Sequence, residues 1–278
     1  MAIHPLLQIA LGLVLSSIIA WLAYRRRSLT ASGALGAVLT GTAIFGLGGL
    51  DWGLLLIAFF VSSSALTRYK EPAKAAAAEQ FAKGGARDVW QALANGGLAA
   101  LVAVLYGLTG STHLPLLFAF VGALAEANAD TWATELGILS QQTPRMITTG
   151  RPVAPGTSGG VTRDGTLAAL AGAAFIAMLA AIFRLIGGLT PGSAVMLWLA
   201  GSLAGWLGSL ADSLLGATVQ GIYYCDTCSK ETERQLHRCG ARTRLIRGWR
   251  ALNNDGVNFI GTLVGAAVAG GLGALLVK

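Results

Sequence analysis

The sequence has few charged residues. Only 12% of its 278 residues are Asp, Glu, Lys or Arg, about half of the ~25% that is typical of soluble domains. This low charge excludes an ordinary soluble domain, and 54% of the residues are hydrophobic. Apolar stretches of about twenty residues, long enough to cross a bilayer as α-helices, recur along the whole chain. The composition therefore predicts an all-α, polytopic integral membrane protein, with residues 1–278 forming a single membrane domain.

Cysteine is scarce as well. All three cysteines lie between residues 225 and 239, so a disulfide framework that holds the whole fold together is excluded. The chain also lacks a Gly-Lys-Ser/Thr sequence, which excludes a P-loop. No charged region precedes the first apolar run, and a basic cluster follows it. We therefore expect this run to be a retained helix and not a cleaved signal peptide.

Eight apolar segments can be drawn along the chain. Six to eight transmembrane helices fit the sequence, and eight are preferred because of how the basic residues are distributed. The 38 glycines favour a closely packed bundle, since small residues let helix backbones approach one another. The expected spans are residues 5–24, 31–49, 52–67, 93–109, 114–137, 165–187, 193–219 and 257–277.

Lysine and arginine are concentrated in alternate connections. Basic residues follow the first, third, fifth and seventh spans, whereas the connections near Gly49, Gly110 and Pro191 carry none. Under the positive-inside rule the basic loops are cytosolic, and in the eight-span topology both termini lie outside. This places a Cys/His/Arg-rich loop, residues 220–252, in the cytosol. The expected location is the bacterial inner membrane or an equivalent membrane.

Carboxylates lie inside two of the apolar segments. Asp130 is about seven residues and Asp212 about eight residues from the cytosolic end of its span, which places each roughly 10 Å deep. A carboxylate there costs roughly 2.5–3.5 kcal/mol, so it is a functional-site candidate. Glu126 shares a helix face with Asp130. Because Mg²⁺ binds one or two carboxylates together with substrate phosphates, these three residues predict a magnesium site. A proton relay, a transported ion or purely structural hydrogen bonds are alternatives.

Glycine-rich stretches occupy two of the cytosolic connections. Residues 83–91 and 155–166 combine flexible backbone with a basic side chain, and the second adds hydroxyl groups. Such stretches suit the binding of phosphate, although Gly-Ser connectors are also common. Four spans also begin with a polar–Gly signature, at Thr30, Asn95, Asp164 and Asn254. We expect their helix N-termini to form an anion-binding ring on the basic face.

The 220–252 loop contains a candidate metal cluster. Cys225, Cys228, His237 and Cys239 supply four ligands, enough for a tetrahedral zinc site with a structural role. Free thiols and a Cys225–Cys228 disulfide are the alternatives, and a cytosolic location disfavours a lasting disulfide.

Six motifs follow one another over nearly the whole chain. In order they are KGGARD (83–88) with Gln91 and NGG (95–97), ADTWATELG (129–137), GTSGGV (156–161), DGT (164–166), ADSLLG (211–216) with Gln220, and NNDGVN (253–258). This set resembles the phytyl-phosphate kinase (prenyl-phosphate kinase) family of vitamin E biosynthesis. The family consists of polytopic membrane proteins and includes bacterial, archaeal and animal transmembrane relatives.

The resemblance implies that a nucleoside triphosphate, with CTP favoured, phosphorylates an isoprenyl monophosphate at the cytosolic membrane face. The expected partners are the nucleotide, the isoprenyl lipid and the membrane, with no nucleic acid; the glycine-rich faces allow an oligomer. The expected catalytic residues are Asp130, Asp212, Lys83 and Arg87. The expected substrate- and nucleotide-binding residues are Asn95, Thr134, Gly137, Thr157, Ser158, Gly159, Arg163, Thr166, Ser213, Gln220, Asn254 and Asn258.

Two other functions remain open from the sequence. The pattern Asp130-x-x-Ala133-x-x-x-Gly137 is also similar to motifs of membrane cytidylyltransferases, which make a CDP-lipid and release pyrophosphate. A lipid or ion transporter is the second alternative, because intramembrane acids also serve transport.

Overall fold

The structure is a computed structural model that describes residues 4–78, 81, 85–110 and 113–276. Long helices make up most of the described chain. They are α1 (Pro5–Arg25), α2 (Ala31–Ala43) with a π-helical continuation (Ile44–Gly48), α3 (Leu50–Arg68), the short α4 (Glu71–Ala78), α5 (Val89–Leu108), α6 (Leu114–Gly137), α7 (Arg163–Ile186), α8 (Pro191–Thr218) and α9 (Asn254–Leu276).

Seven helices of the described chain are long and apolar enough to cross a membrane: α1, α2 with its continuation, α3, α5, α7, α8 and α9. This confirms the predicted polytopic all-α class and a span count between six and eight. The remaining long helix, α6, has 24 residues and carries Glu126, Asp130 and Glu135. It packs against α3, α5, α7, α8 and α9. The helix with the most acidic groups therefore lies at the centre of the bundle, where neighbouring helices replace lipid.

Glycines set the distance between α6 and its neighbours. A Cβ atom added at Gly122 of α6 would lie 2.3 Å from the carbonyl oxygen of Gly265 in α9. One added at Gly205 of α8 would lie 2.7 Å from the backbone of Ala125. No real side chain fits at such distances, so the backbones touch directly, as is common in membrane bundles.

Three helices begin where the polar–Gly signature predicts. Thr30 caps α2 by accepting a hydrogen bond from the amide of Gly33 (3.1 Å). Thr162 caps α7 through the amide of Gly165 (3.0 Å). At the start of α9, the amide of Gly256 donates to Asn253 Oδ1 (3.0 Å). These three helix N-termini lie at one end of the bundle, as expected.

The fourth expected helix start, at Asn95, is wrong. Helix α5 begins at Val89, where Asp88 and Gln91 form a reciprocal capping box. Asn95 lies inside the helix, and its side-chain amide donates to the carbonyl of Gln91 (2.9 Å). A capping box satisfies two free amides at once, so the helix starts a full turn earlier than the apolar run.

Short strands occur in two connections that the sequence analysis treated as loops. Strand β1 (Arg145–Met146) pairs with β2 (Gly160–Val161). In the 220–252 loop, β3 (Ile222–Cys225) lies between β4 (Lys230–Thr232) and β5 (Arg244–Arg247) in an antiparallel sheet. The loop is therefore a small folded unit at the end of α8.

The opposite end of the bundle holds a separate polar contact. Arg184 Nη1 lies 3.1 Å from Asp51 Oδ2, and Nη2 donates to the hydroxyl of Tyr106 (2.9 Å). Trp52 stacks on Tyr106 and on Phe120 at centroid distances of 4.7 and 4.0 Å. This contact joins α3, α5, α6 and α7 away from the basic face.

The substitution Gly122→Ala tests the packing of α6 against α9. We expect it to lower the free energy of unfolding by about 1–3 kcal/mol, because the added methyl group must push the two backbones apart. Thermal unfolding of the purified protein in detergent measures the change. Gly271→Ala on α9 is the matched control, since nothing lies within 4 Å of a Cβ added there. An equal effect of the two substitutions would contradict the packing argument.

Candidate functional site

A cavity of ≈ 570 Å³ opens at the end of the bundle where α6 and α8 end and α5, α7 and α9 begin. Its wall is formed by residues from these helices, from α3 and α4, and from the 155–161 and 220–252 loops. Thirteen of the predicted site residues line it: Asp130, Asp212, Arg87, Asn95, Thr134, Gly137, Thr157, Ser158, Gly159, Thr166, Ser213, Asn254 and Asn258. Segments far apart in sequence thus meet around one polar space.

Arg163 is placed differently from the prediction. It is exposed in the first turn of α7 and is not part of the cavity wall. The residues of this helix start that line the cavity are Thr162, Gly165, Thr166 and Ala169. These four residues share one face of the helix, and Arg163, which directly follows Thr162, is rotated by about 100° from it. We therefore do not assign it to the site.

Gln220 is also not part of the cavity wall. Gln220 is buried and acts behind the wall: its Oε1 accepts from Ser158 Oγ (2.7 Å), and its Nε2 donates to Glu233 Oε1 (2.9 Å). It thereby joins the 155–161 loop to the small sheet. Lys83 lies outside the described residues.

Asp130 and Asp212 face the cavity from α6 and α8. With its amide oriented by the hydrogen-bonding network, Asn258 donates to Asp212 Oδ2 (3.1 Å) and to the carbonyl of Asn254 (2.9 Å). The start of α9 thus fixes the Asp212 carboxylate. Asp130 contributes its carboxylate to the same space, so oxygen ligands are available from two helices.

Glu126 lies deeper, one turn below Asp130 on α6. It is 1% exposed, and neither carboxylate oxygen has a hydrogen-bond partner among the described residues. A Cβ atom added at Gly261 would lie 2.4 Å from Glu126 Oε1 and 3.4 Å from Asp212 Cβ. Glu126 and Asp212 therefore flank the same point on α9. A buried carboxyl group without a partner is costly, and a bound proton or cation relieves that cost.

Another acidic residue of α6, Glu135, is fully engaged. Lys74 of α4 forms an ion pair with Glu135, and Thr67 Oγ1 donates to Glu135 Oε1 (2.7 Å). Lys74 also donates to the carbonyls of Leu66 and Thr67 (both 2.7 Å) at the end of α3. Lys74 is thus a site residue that sequence reasoning missed, because the positive-inside rule already accounted for a basic residue in this loop. Its position in a basic connection between two spans was the available signal.

Arg87 is held in place by its backbone. Its amide donates to the carbonyl of Ser28 (3.0 Å), and its carbonyl accepts from the amide of Thr30 (3.0 Å). The guanidinium lies over the rings of Phe59 and Phe60, 5.8 and 5.6 Å from their centroids. Burial lowers the pKa of Arg87, and the charge of Glu135 opposes the shift. A guanidinium stays protonated even so, so Arg87 brings a fixed positive charge to the cavity.

An apolar cleft adjoins the polar cavity. It has a volume of ≈ 80 Å³, and apolar side chains of α1, α2, α3 and α5 line most of it. Arg87, Gln91 and Asn95 line both spaces. These three residues therefore mark the boundary between an apolar and a polar compartment.

The 155–161 loop is pinned against the end of α8. Gly159 has φ +82°, and a Cβ atom there would lie 2.5 Å from the Cα of Ala217. Arg247 of the small sheet donates to the carbonyls of Ser158 (3.1 Å) and Gly216 (3.2 Å). Only glycine fits at position 159, so the loop is held where Thr157 and Ser158 line the cavity.

The four predicted metal ligands come together in the small sheet. One ligand atom from each of Cys225, Cys228, His237 and Cys239 lies within 4.8 Å of the others, and all three cysteines are free. The hydrogen bond from His237 lowers the pKa of the Cys239 thiol to about 6. The hydrogen bond with Cys239 raises the pKa of Cys228 to about 11. None of the three cysteines is in a disulfide.

A double-mutant cycle on Lys74 and Glu135 tests the contact that holds α4 at the cavity. We expect Lys74→Ala to destabilise the protein by about 3 kcal/mol, because it leaves Glu135 buried without its cation. Combining it with Glu135→Ala should reveal a coupling energy of about 1–3 kcal/mol in chemical unfolding. The Arg244–Asp226 pair is the control: its side chains are 62% and 67% exposed, and we expect coupling below about 1 kcal/mol. Equal coupling in both cycles would show that the buried pair has no special role.

Comparison with known proteins gives matches over almost the whole chain. The family model described as integral membrane protein DUF92 matches residues 14–266. Protein PGR of Arabidopsis thaliana is 36% identical over 280 residues, covering 95% of this chain and 96% of its own length. An uncharacterised membrane protein of Methanocaldococcus jannaschii is 30% identical, with coverage of 95% and 94%.

Protein VTE6, chloroplastic, of Arabidopsis thaliana is 30% identical over 245 residues, which are 87% of this chain and 64% of that protein. No solved structure shows significant similarity. The region matched by the family model contains the cavity and all the motifs that carry the family resemblance. The unmatched positions are the first thirteen and the last twelve, and none of the motifs lies there. The chain therefore belongs to the DUF92 family of integral membrane proteins.

Proposed function

We propose that the protein phosphorylates an isoprenyl monophosphate to the diphosphate, with a nucleoside triphosphate, CTP favoured, as the donor. The observation that carries the proposal is the boundary between the two compartments. Arg87, Gln91 and Asn95 line an apolar cleft on one side and, on the other, a polar cavity that also contains Asp130 and Asp212. A substrate with an apolar chain and a charged head group matches this arrangement.

The acceptor lipid binds across that boundary. Arg87 contacts the monophosphate, because a guanidinium recognises phosphate oxygens with paired hydrogen bonds. The cleft of ≈ 80 Å³ takes the part of the isoprenyl chain next to the head group, and the rest of the chain extends into the bilayer. The burial of Arg87 against Phe59 and Phe60 keeps water from this side of the phosphate.

The donor nucleotide binds on the opposite wall of the cavity. Thr157 and Ser158 line the cavity there, and α7 and α9 begin at the same wall. Free amides at helix N-termini attract phosphate groups. The triphosphate thus lies beside Thr166 and Asn254, with its terminal phosphate directed toward the acceptor.

Asp130 and Asp212 are the residues that hold Mg²⁺ in this proposal, with Glu126 beneath them. The fit is supported by the orphaned carboxylate of Glu126, which has no hydrogen-bond partner among the described residues, and by the oxygen-only donor set that Mg²⁺ prefers. When bound, Mg²⁺ neutralises charge on the phosphates. Asn258 orients the Asp212 carboxylate through its hydrogen bond.

The reaction needs no general base. An oxygen of the monophosphate forms a bond to the terminal phosphorus of the donor, and the bond from that phosphorus to the bridging oxygen breaks. The products are a nucleoside diphosphate and an isoprenyl diphosphate. A phosphate monoester is largely ionised at neutral pH, with its second pKa near ~6, so the attacking oxygen carries no proton that must be removed. The chain's task is to align the two phosphates and balance their charge.

The orientation in the membrane is part of the proposal. The basic connections contribute Arg87, Arg238 and Lys74 to the cavity wall, and the positive-inside rule makes this face cytosolic. Both termini then lie outside, and the cavity opens to the compartment that contains nucleotides.

Substitution of the aspartates tests the site. We expect Asp130→Asn and Asp212→Asn each to lower the rate of isoprenyl diphosphate formation by roughly 100-fold or more, because each variant loses a carboxylate that would hold Mg²⁺, the ion that balances the charge of the phosphates. Turnover with a labelled isoprenyl monophosphate in detergent or liposomes measures the rate. Asp51→Asn is the matched control, since Asp51 pairs with Arg184 at the other end of the bundle. Full activity in both cavity variants would refute the assignment of the site.

The labelled donor identifies the reaction. With CTP labelled in the terminal phosphate, we expect the label to appear in the isoprenyl diphosphate. With CTP labelled in the α-phosphate, we expect the label in CDP, since that phosphate stays on the nucleoside. Transfer of the α label to the lipid with release of pyrophosphate would instead identify a cytidylyltransferase. Movement of lipid across liposomes without nucleotide turnover would identify a transporter.

A further inference from the structure

The small sheet of the 220–252 loop brings four soft ligands to one point. Cys225 ends β3, Cys228 lies in the turn toward β4, and His237 and Cys239 lie in a second turn. Cys225 Sγ is 3.7 Å from Cys239 Sγ, and His237 Nδ1 is 3.2 Å from Cys239 Sγ. Residues separated by as many as fourteen positions therefore converge from two turns.

Both turns have tight backbone geometry. Cys225 pairs with Lys230 across the β3–β4 hairpin, and Ser229, directly after Cys228, has a left-handed φ of 52°. The second turn closes through the hydrogen bond from the amide of His237 to the carbonyl of Ala241 (3.0 Å). A non-glycine residue with left-handed φ is strained, so the surrounding contacts must hold the first turn in this shape.

Only part of the sheet is buried: Ile222 and Tyr223 of β3 are, whereas β5 and the second turn are mostly exposed. Leu236, Leu245 and Ile246 are exposed, with 59%, 36% and 39% of their surface accessible, and the three cysteines form no disulfide. Units of this size without a large core are usually stabilised by a disulfide or a metal. The three thiols and the imidazole that meet in this sheet are suitable ligands for a stabilising metal.

We propose that Cys225, Cys228, His237 and Cys239 bind one Zn²⁺ ion. The set of three thiolates and one imidazole matches structural zinc sites in number and type of ligand. Because all four positions come from the chain, none is left for water or substrate, and the ion is structural. The proposal is independent of the phosphoryl transfer proposed above.

The zinc site also places charged residues at the cavity. Arg238 lies between His237 and Cys239, the two ligands of the second turn. Both Arg238 and Glu233 line the cavity. The neighbouring Arg234 donates to the carbonyl of Phe81 (3.0 Å). Fixing His237 and Cys239 on one ion therefore fixes the backbone of Arg238 between them. Zinc in this role is a positioning element at the mouth of the cavity.

Metal analysis of the purified protein tests the site. We expect one zinc per chain by mass spectrometry of the metal, and a loss of most of it in Cys228→Ser and His237→Ala. Asp226→Asn is the control, because Asp226 lies between two ligands but its side chain pairs with Arg244; it should keep its zinc. A wild-type protein without zinc, or equal zinc content in all four proteins, would overturn the proposal.

A second measurement covers the case in which the variants do not fold. Wild-type protein stripped of metal by a chelator is digested with trypsin, with Zn²⁺ or Mg²⁺ added back alone. We expect cleavage at Arg238 and Arg242 to be at least about tenfold faster without metal, and Zn²⁺ but not Mg²⁺ to restore protection, because proteolysis follows local opening. Equal cleavage with and without Zn²⁺, or a Cys225–Cys228 disulfide found by peptide mass, would contradict a zinc site.

Discussion

The direct backbone contact of α6 with α8 and α9 is the interaction on which the rest of the structure depends. In a bilayer, lipid is as apolar as a leucine side chain, so helices associate through close packing and internal hydrogen bonds. Gly122 and Gly265 allow one contact and Gly205 allows the other. With the backbones this close, Gly208 and Gly261 leave a slot only as wide as the Glu126 side chain. The same packing that stabilises the bundle therefore fixes the carboxyl groups of the candidate site.

Polar groups on α6 have different roles because their surroundings differ. Asn128 is fully buried; it accepts from Ser62 (2.9 Å) and donates to the carbonyl of Gly172 (2.8 Å), which ties α6 to α3 and α7. Glu135 is satisfied by Lys74 and Thr67. Asp130 lies between these two residues on the same helix and faces the cavity instead. Satisfied groups hold the bundle together, whereas Asp130 and Glu126 are the groups that we propose to hold the metal.

In the proposed function, the two compartments at the basic face accommodate a substrate that is apolar at one end and charged at the other. Arg87 is fixed at their boundary by backbone contacts with α2 and by aromatic rings of α3. The small sheet of the 220–252 loop lies at the outer side of the cavity. Gln220 and Arg247 join this sheet to the 155–161 loop. The sheet and the loop both contribute to the cavity wall, so these contacts support both parts of it.

The sequence by itself determined the membrane class, the approximate spans and the groups most costly to bury, because hydrophobicity, charge distribution and helix period are local properties. It also predicted the cap at Thr30 and the approximate start of α7, where the cap is Thr162 and not Asp164, because capping depends on neighbours within one turn. Only the tertiary structure decided which polar residues share a space. It excluded Arg163 from the cavity wall and added Lys74, and it turned Gln220 into a support behind the wall. These placements depend on helix rotation and on contacts between distant segments, and residues far apart in sequence carry no local signal for either.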